Sequence, residues 1–210
     1  MEHTEHAIDP VQEQQEHIKR RAVLQAAIGV GVGLSVLSTL YVGVGFIPKV
    51  VVTPEKEPVK AGDVLVWAQG AKAGQDITPA DLQAAQKSDP PFIIAYPKNP
   101  ENNVVKSQAA TNTIMVMQLE PSSLSPETAK YAVQGIVAYS AICKHLGCTI
   151  SQWKNNLWQC PCHGGEYDPR QGAKVVAGPP PGPVPQLPIK LEGNRIIATA
   201  GFLFKPGADV

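Results

Sequence analysis

The chain has 210 residues, room for one modest domain with accessories, and its 18 basic and 18 acidic side chains leave a formal charge of zero, which argues against nucleic acid as a partner. Twenty prolines and eighteen glycines beside only 6% aromatics point away from a helical bundle and toward a loop-rich protein built on strands.

Met1 to Ile18 is polar, with His3, His6 and His17 scattered among glutamates and glutamines, and shows no sustained apolar period. It reads as a mobile tail whose histidines are solvated rather than metal-binding. Lys19, Arg20 and Arg21 close this tail (1–21) and lead into residues 22–47, 26 positions without a charge. As a helix that run would be ~39 Å long at ~1.5 Å per residue, enough to cross a hydrocarbon core of ~30 Å with some tilt. A cleaved secretory signal fits less well, since the run exceeds an ordinary signal core and no clear small-x-small site follows it. Basic residues on the amino side place that end in the cytoplasm and the rest of the chain on the outer face. Arg20-Arg21-Ala-Val-Leu-Gln also resembles a twin-arginine export signal. Gly29 and Gly33 form a Gly-x-x-x-Gly pair of the kind that lets helices pack closely in lipid.

Residues 48–62 mix Pro54 and Pro58 with lysines and glutamates and offer no apolar face, so they read as an extended hinge or tether. From Val64 onward apolar residues come in strand-length runs between turn formers: Val64–Trp67, Phe92–Tyr96, Thr113–Leu119, Ile136–Tyr139, Thr149–Trp153, Leu157–Cys160, Leu187–Leu191 and Arg195–Thr199. Two brief helices are predicted, one after Thr78-Pro79 and one over Pro126–Gln134, with Ser125 as cap and Gly135 as stop. The stretch Gly70–Asn112 is polar and irregular and reads as an excursion from the core. The expected fold is therefore all-β: one antiparallel domain over 63–210 behind a single membrane helix, with residues 139–188 as an inserted subdomain.

That insert holds all four cysteines. Cys143-Lys-His145-Leu-Gly-Cys148 and Cys160-Pro-Cys162-His163-Gly-Gly165 each offer a thiolate and an imidazole at a spacing one tight loop can close on a metal. Cys143, His145, Cys160 and His163 would satisfy tetrahedral zinc, or a two-iron two-sulfide cluster with two cysteines on one iron and two histidines on the other. Ligand count does not separate the two.

These boxes, with Tyr167 and the proline-rich run Gly178–Pro183, resemble the Rieske iron-sulfur proteins in the form found in quinol-oxidising cytochrome bc complexes. The resemblance implies one 2Fe-2S cluster per chain, with Cys143 and Cys160 on the inner iron and His145 and His163 on the outer. It implies a Cys148–Cys162 disulfide pinning the loops together, and so a disulfide-permissive compartment for the head. It implies that His163 meets the quinol hydroxyl and takes its proton, and that His145 carries a second redox-linked titration. It implies that Tyr167 donates to a ligand sulfur. Gly165 stands where high-potential members carry a serine donor, which implies a lower potential, suited to menaquinol. The run Gly178–Pro185 reads as a stiff lid beside the cluster. The implied partners are a cytochrome b-type membrane subunit and a c-type cytochrome acceptor in a respiratory complex of a bacterial cytoplasmic membrane, a dimer being one form it could take. The head would face the periplasm and swing on residues 48–62. A second reading is a tethered Rieske subunit of another periplasmic oxidoreductase, such as an arsenite-oxidase-like molybdoenzyme; Leu146 and the uncleaved helix favour the first.

Overall fold

The computed structural model describes residues 10–45 and 52–208, with side chains over 19–39 and 52–208. The chain divides into two compact units, Met1–Val51 and Val52–Val210.

The first unit holds one helix, α1 (Pro10–Gly45). The apolar run predicts a start at Ala22, but the helix begins twelve residues earlier. Proline suits a first helical position, and Gln, Glu, Lys and Arg dominate residues 12–21 and are good helix formers, which a search for apolar periodicity passes over. Lys19–Thr39 is long and apolar enough to cross a membrane. Along it Leu24, Ile28, Leu34 and Leu37 are more than 60% exposed within the unit, as expected of a helix whose apolar surroundings are supplied from outside. Its hydroxyls turn back on its own backbone, Ser35 to the Gly31 carbonyl (2.8 Å) and Thr39 to that of Ser35 (2.5 Å), so they remain satisfied in an apolar medium. His3, His6, the side chain of His17 and residues 46–51 lie outside the described residues.

The second unit is β-rich. Its described strands are β1 (Val64–Trp67), β2 (Ile93–Lys98), β3 (Ile114–Gln118), β4 (Ile136–Ser140), β5 (Gln152–Lys154), β6 (Leu157–Gln159), β7 (Glu166–Asp168), β8 (Lys174–Ala177), β9 (Ile189–Glu192) and β10 (Arg195–Ala198). They form a six-stranded sheet in the order β4-β3-β2-β1-β10-β9 and a four-stranded sheet in the order β5-β6-β7-β8, with every pair antiparallel. Strands β3 and β4 are buried on both faces because each face meets a different layer. Ile114, Val116, Ile136 and Ala138 point to a core that includes Leu82 and Ala85 of α2 (Pro79–Ala85). Met115, Met117, Val137 and Tyr139 point to a second core shared with Trp158 and Tyr167 of the small sheet. The second core fixes the small sheet, and the loops it carries, to the large one.

Gly70–Asn112 is no excursion. It supplies α2 and strand β2, which lies between β1 and β3, and Ile77, Leu82, Ile93 and Ala95 are buried in the first core. The second predicted helix shortens to α3 (Pro126–Ala129); beyond its end, Gln134 and Gly135 take positive φ (49° and 78°) and turn the chain into β4.

Residues 55–62 are docked rather than extended. Val59 is buried in the first core, and its N–H donates to Asn112 Oδ1 (3.1 Å), while Asn112 Nδ2 donates to the carbonyls of Glu57 (2.7 Å) and Lys106 (3.0 Å). Lys106, fully buried, places Nζ 2.7 Å from Asp63 Oδ2 and 3.3 Å from the Pro58 carbonyl. One valine, backbone groups and a distant lysine do the docking, so composition along 48–62 gives no sign of it.

Candidate metal centre

Both cysteine boxes adopt the same backbone loop. In the first, the Cys143 N–H donates to the Cys148 carbonyl (2.8 Å) and the Gly147 N–H to the Cys143 carbonyl (3.0 Å). In the second, the Cys160 N–H donates to the Gly165 carbonyl (2.8 Å) and the Gly164 N–H to the Cys160 carbonyl (3.0 Å). The fifth residue of each loop has positive φ, Gly147 at 79° and Gly164 at 68°, a conformation open to glycine at little cost. The loops meet because the chain between them is a tight hairpin, β5–β6, whose turn residues Asn155 and Asn156 both have positive φ (52° and 63°), as a two-residue hairpin turn of matching twist requires.

Cys143 and Cys160 are free thiols, 2% and 1% exposed, close enough for their side chains to hydrogen-bond. His145 is half-buried and His163 exposed, and their rings stand edge to face with centroids 4.7 Å apart. The sulfurs are thus inside and the imidazoles at the surface. Cys148 and Cys162 form a disulfide joining the loops, with their Cα atoms 6.6 Å apart. The sulfurs of Cys148, Cys160 and Cys162 lie within 4.8 Å of one another, but two of them are bonded together, which leaves Cys160 as the thiol of that group able to ligate.

Burial pushes the Cys160 thiol up and the neighbouring Cys143 adds to it, against the N–H groups of Cys162 and His163 that favour the thiolate. A bound cation reverses that logic, since it deprotonates a coordinating thiol outright. His145 Nδ1 is buried without a hydrogen-bond partner. Such an atom is costly, and a metal bond would satisfy it. Two buried thiols, two surface imidazoles and an orphaned ring nitrogen facing inward fit a mixed-ligand iron-sulfur cluster.

Tyr167 lies against the first box. Its hydroxyl oxygen is 3.1 Å from Cys143 Sγ and accepts the Lys144 N–H at 3.2 Å. With a donor already aimed at the oxygen, the phenolic proton is left to point at sulfur. Burial, and then the bond to Cys143, push the Tyr167 pKa well above that of an ordinary phenol, so the donor keeps its proton. Gly165 sits beneath the lid: a Cβ there would be 2.5 Å from Pro180 Cγ, and one on Gly178 would be 2.7 Å from the Gly164 carbonyl oxygen. The proline run packs directly on the second box.

Residues 98–188 match the family described as Rieske [2Fe-2S] domain. The chain carries a Rieske domain. That match runs through both boxes and the lid, and leaves β9 and β10, which complete the large sheet, beyond its end. The chain is 41% identical over 100 residues to a protein named putative respiratory nitrate reductase subunit Rieske from Haloferax mediterranei, the match covering 46% of each chain. It is 29% identical over 146 residues to a cytochrome bc1 complex Rieske iron-sulfur subunit of Streptomyces lividans, covering 67% of this chain and 86% of that one. The chain thus spans about half the length of the first relative and most of the second. Among solved structures, the soluble domain of Rieske protein II from Sulfolobus acidocaldarius is 22% identical with a TM-score of 0.41, covering 59% of this chain and 74% of that one. A Rieske domain binds a 2Fe-2S cluster and transfers electrons, and here it follows an apolar helix long enough to cross a membrane.

The two boxes bring together Cys143, His145, Cys148, Cys160, Cys162 and His163, and Tyr167 and Gly165 stand against them. Sequence reasoning misses the Lys144 N–H, because a backbone donor has no signature, and misses Pro180 as the residue that covers Gly165, although the proline run itself is conspicuous.

Proposed function

We propose that Cys143 and Cys160 hold one iron of the cluster and His145 and His163 the other, and that the chain carries electrons from quinol to a c-type cytochrome as the Rieske subunit of a membrane quinol-cytochrome c oxidoreductase. The observation that supports this reading best is the division of the site into buried thiols and surface imidazoles, with His163 exposed. When bound, a cluster with two neutral imidazole ligands supplies a one-electron acceptor in a range of about −150 to +300 mV. His163 is the imidazole a quinol hydroxyl can reach, and it takes the proton; half-buried His145 carries the second titration. Leu146, next to His145 in the chain and 61% exposed, gives the quinol ring an apolar contact. Gly165 offers no hydroxyl, which fits a lower-potential centre matched to menaquinol. Helix α1 anchors the chain in the cytoplasmic membrane, with its amino end inside and the head outside, next to a cytochrome b-type subunit.

A second reading has one observation in its favour: the Haloferax relative is named for a nitrate reductase. In that reading the same head serves a different membrane-tethered oxidoreductase. Purification of the tagged full chain from its own membranes separates the two. Cytochrome b in the complex, together with menaquinol-dependent reduction of a c-type cytochrome, is the result expected. A molybdenum-containing subunit without cytochrome b overturns the first reading in favour of the second.

A further inference from the structure

Lys144 stands between Cys143 and His145, yet its side chain is only 6% exposed. Instead of reaching solvent it runs beneath the carboxy-terminal segment, where Nζ donates to the Lys205 carbonyl at 3.4 Å and lies 5.9 Å from the centre of the Phe204 ring. An ammonium over an aromatic face is attracted by the ring's quadrupole. The segment is itself fixed: the Leu203 N–H donates to the Gln186 carbonyl at 3.0 Å, and a Cβ on Gly207 would sit 3.6 Å from Ile142 Cγ2. The side chain of Lys144 thus ties the first box to the end of the chain. Its own N–H is the group that donates to Tyr167 and turns the phenolic proton toward Cys143. Tyr167 is held on the other side, paired with Trp158 across β6 and β7 and fully buried. With that side fixed, the alignment of the Tyr167 O–H on sulfur depends on where the backbone at residue 144 is held.

We propose that Lys144 is a positioning residue for electron transfer: anchored under the Lys205 carbonyl and Phe204, it sets the first box so that Tyr167 donates to Cys143 and stabilises the reduced centre. This rests on Cys143 being a ligand. It assigns a redox role to the carboxy-terminal segment, which lies beyond the matched Rieske region.

The test is a redox titration of the full chain in detergent, followed by electron paramagnetic resonance, for the wild type, Lys144→Met, Lys144→Arg, Tyr167→Phe and the Lys144→Met/Tyr167→Phe pair. Lys144→Met is expected to keep its iron while its reduction constant falls about fivefold, ~40 mV at ~59 mV per tenfold for one electron. Lys144→Arg, which keeps charge and donors, recovers at least half of that. In the Tyr167→Phe background Lys144→Met has no further effect, because the hydroxyl it aligns is gone. An unchanged midpoint in Lys144→Met overturns the proposal, and so does an equal shift with and without the Tyr167 hydroxyl, which would mean the lysine charge acts directly. Should Lys144→Met fail to hold iron, Phe204→Ala at a 44% exposed position replaces it. A smaller fall that vanishes in Tyr167→Phe supports the proposal, and an unchanged midpoint overturns it. Absence of an iron signal from the wild type would instead overturn the ligand assignment, and the proposal with it.

Discussion

Tyr167 and Gly165 stand two residues apart, and the backbone gives them opposite freedoms. The Tyr167 hydroxyl is held between the Lys144 N–H and Cys143 Sγ, so Tyr167→Phe removes the donor to sulfur and leaves the Lys144 N–H without its acceptor. A hydrogen bond to a charged sulfur is worth ~1.5–3 kcal/mol, so the midpoint should fall by ~60–130 mV, read in a potentiometric titration of the full chain. At Gly165 the missing serine donor is readable from the sequence, but the reason it cannot simply be restored is not. A Cβ there would press on Pro180 at 2.5 Å, and overpacking of this kind costs ~1–3 kcal/mol. Gly165→Ser alone is therefore expected to lower the unfolding temperature, with a raised midpoint appearing only when Pro180→Gly is added. A stable, high-potential Gly165→Ser single variant would show that the proline lid yields. All four ligand candidates and both bridge cysteines are legible as residue types at fixed spacing. The contacts around them come from residues 15 and more positions away, or from backbone atoms, and no short motif encodes those.

The strands differ in how plainly the sequence announces them. β1, β3, β4 and β10 are runs of apolar residues whose bounds follow the hydrophobic pattern closely, because burial on one or both faces demands it. β7 and β8 escape notice: β7 is three residues long with one buried side chain, Tyr167, and β8 has none below the half-buried class. A period of two cannot be seen in so few positions. Helix α2 shows the opposite case, a local signal that holds. Thr78 accepts the Asp81 N–H (3.3 Å) and the Asp81 carboxylate accepts the Thr78 N–H (3.0 Å), a capping box followed by Pro79. Burial raises the Asp81 pKa, but Lys72 at 2.5 Å and the two Thr78 bonds outweigh it and hold the carboxylate ionised below its usual range. Since α2 covers the first core through Leu82 and Ala85, Thr78→Ala should cost ~1 kcal/mol in urea unfolding. No loss would mean that packing alone holds α2.

On the scale of the molecule, the docked stretch 55–62 changes what the head is. A chain without an apolar face reads as tether, but Lys106, Asp63 and Asn112 draw it into the fold from positions far along the sequence. Both partners of the Lys106–Asp63 pair are 1% exposed, and breaking such a pair from one side leaves a buried charge uncompensated, at ~3–5 kcal/mol. Lys106→Met should lose about that much in urea unfolding, and adding Asp63→Leu should recover part of it. An all-β head behind one long helix was legible in composition and hydropathy. The central place of β2 and the two-core layering were not, since both depend on which runs pair rather than on the runs themselves. Electron paramagnetic resonance of the dithionite-reduced full chain, with iron and sulfide assays alongside, tests the central claim most directly: that buried Cys143 and Cys160 and surface His145 and His163 hold one 2Fe-2S cluster. A rhombic signal of low average g with two irons per chain is the result predicted, and a colourless, silent protein holding zinc would contradict it.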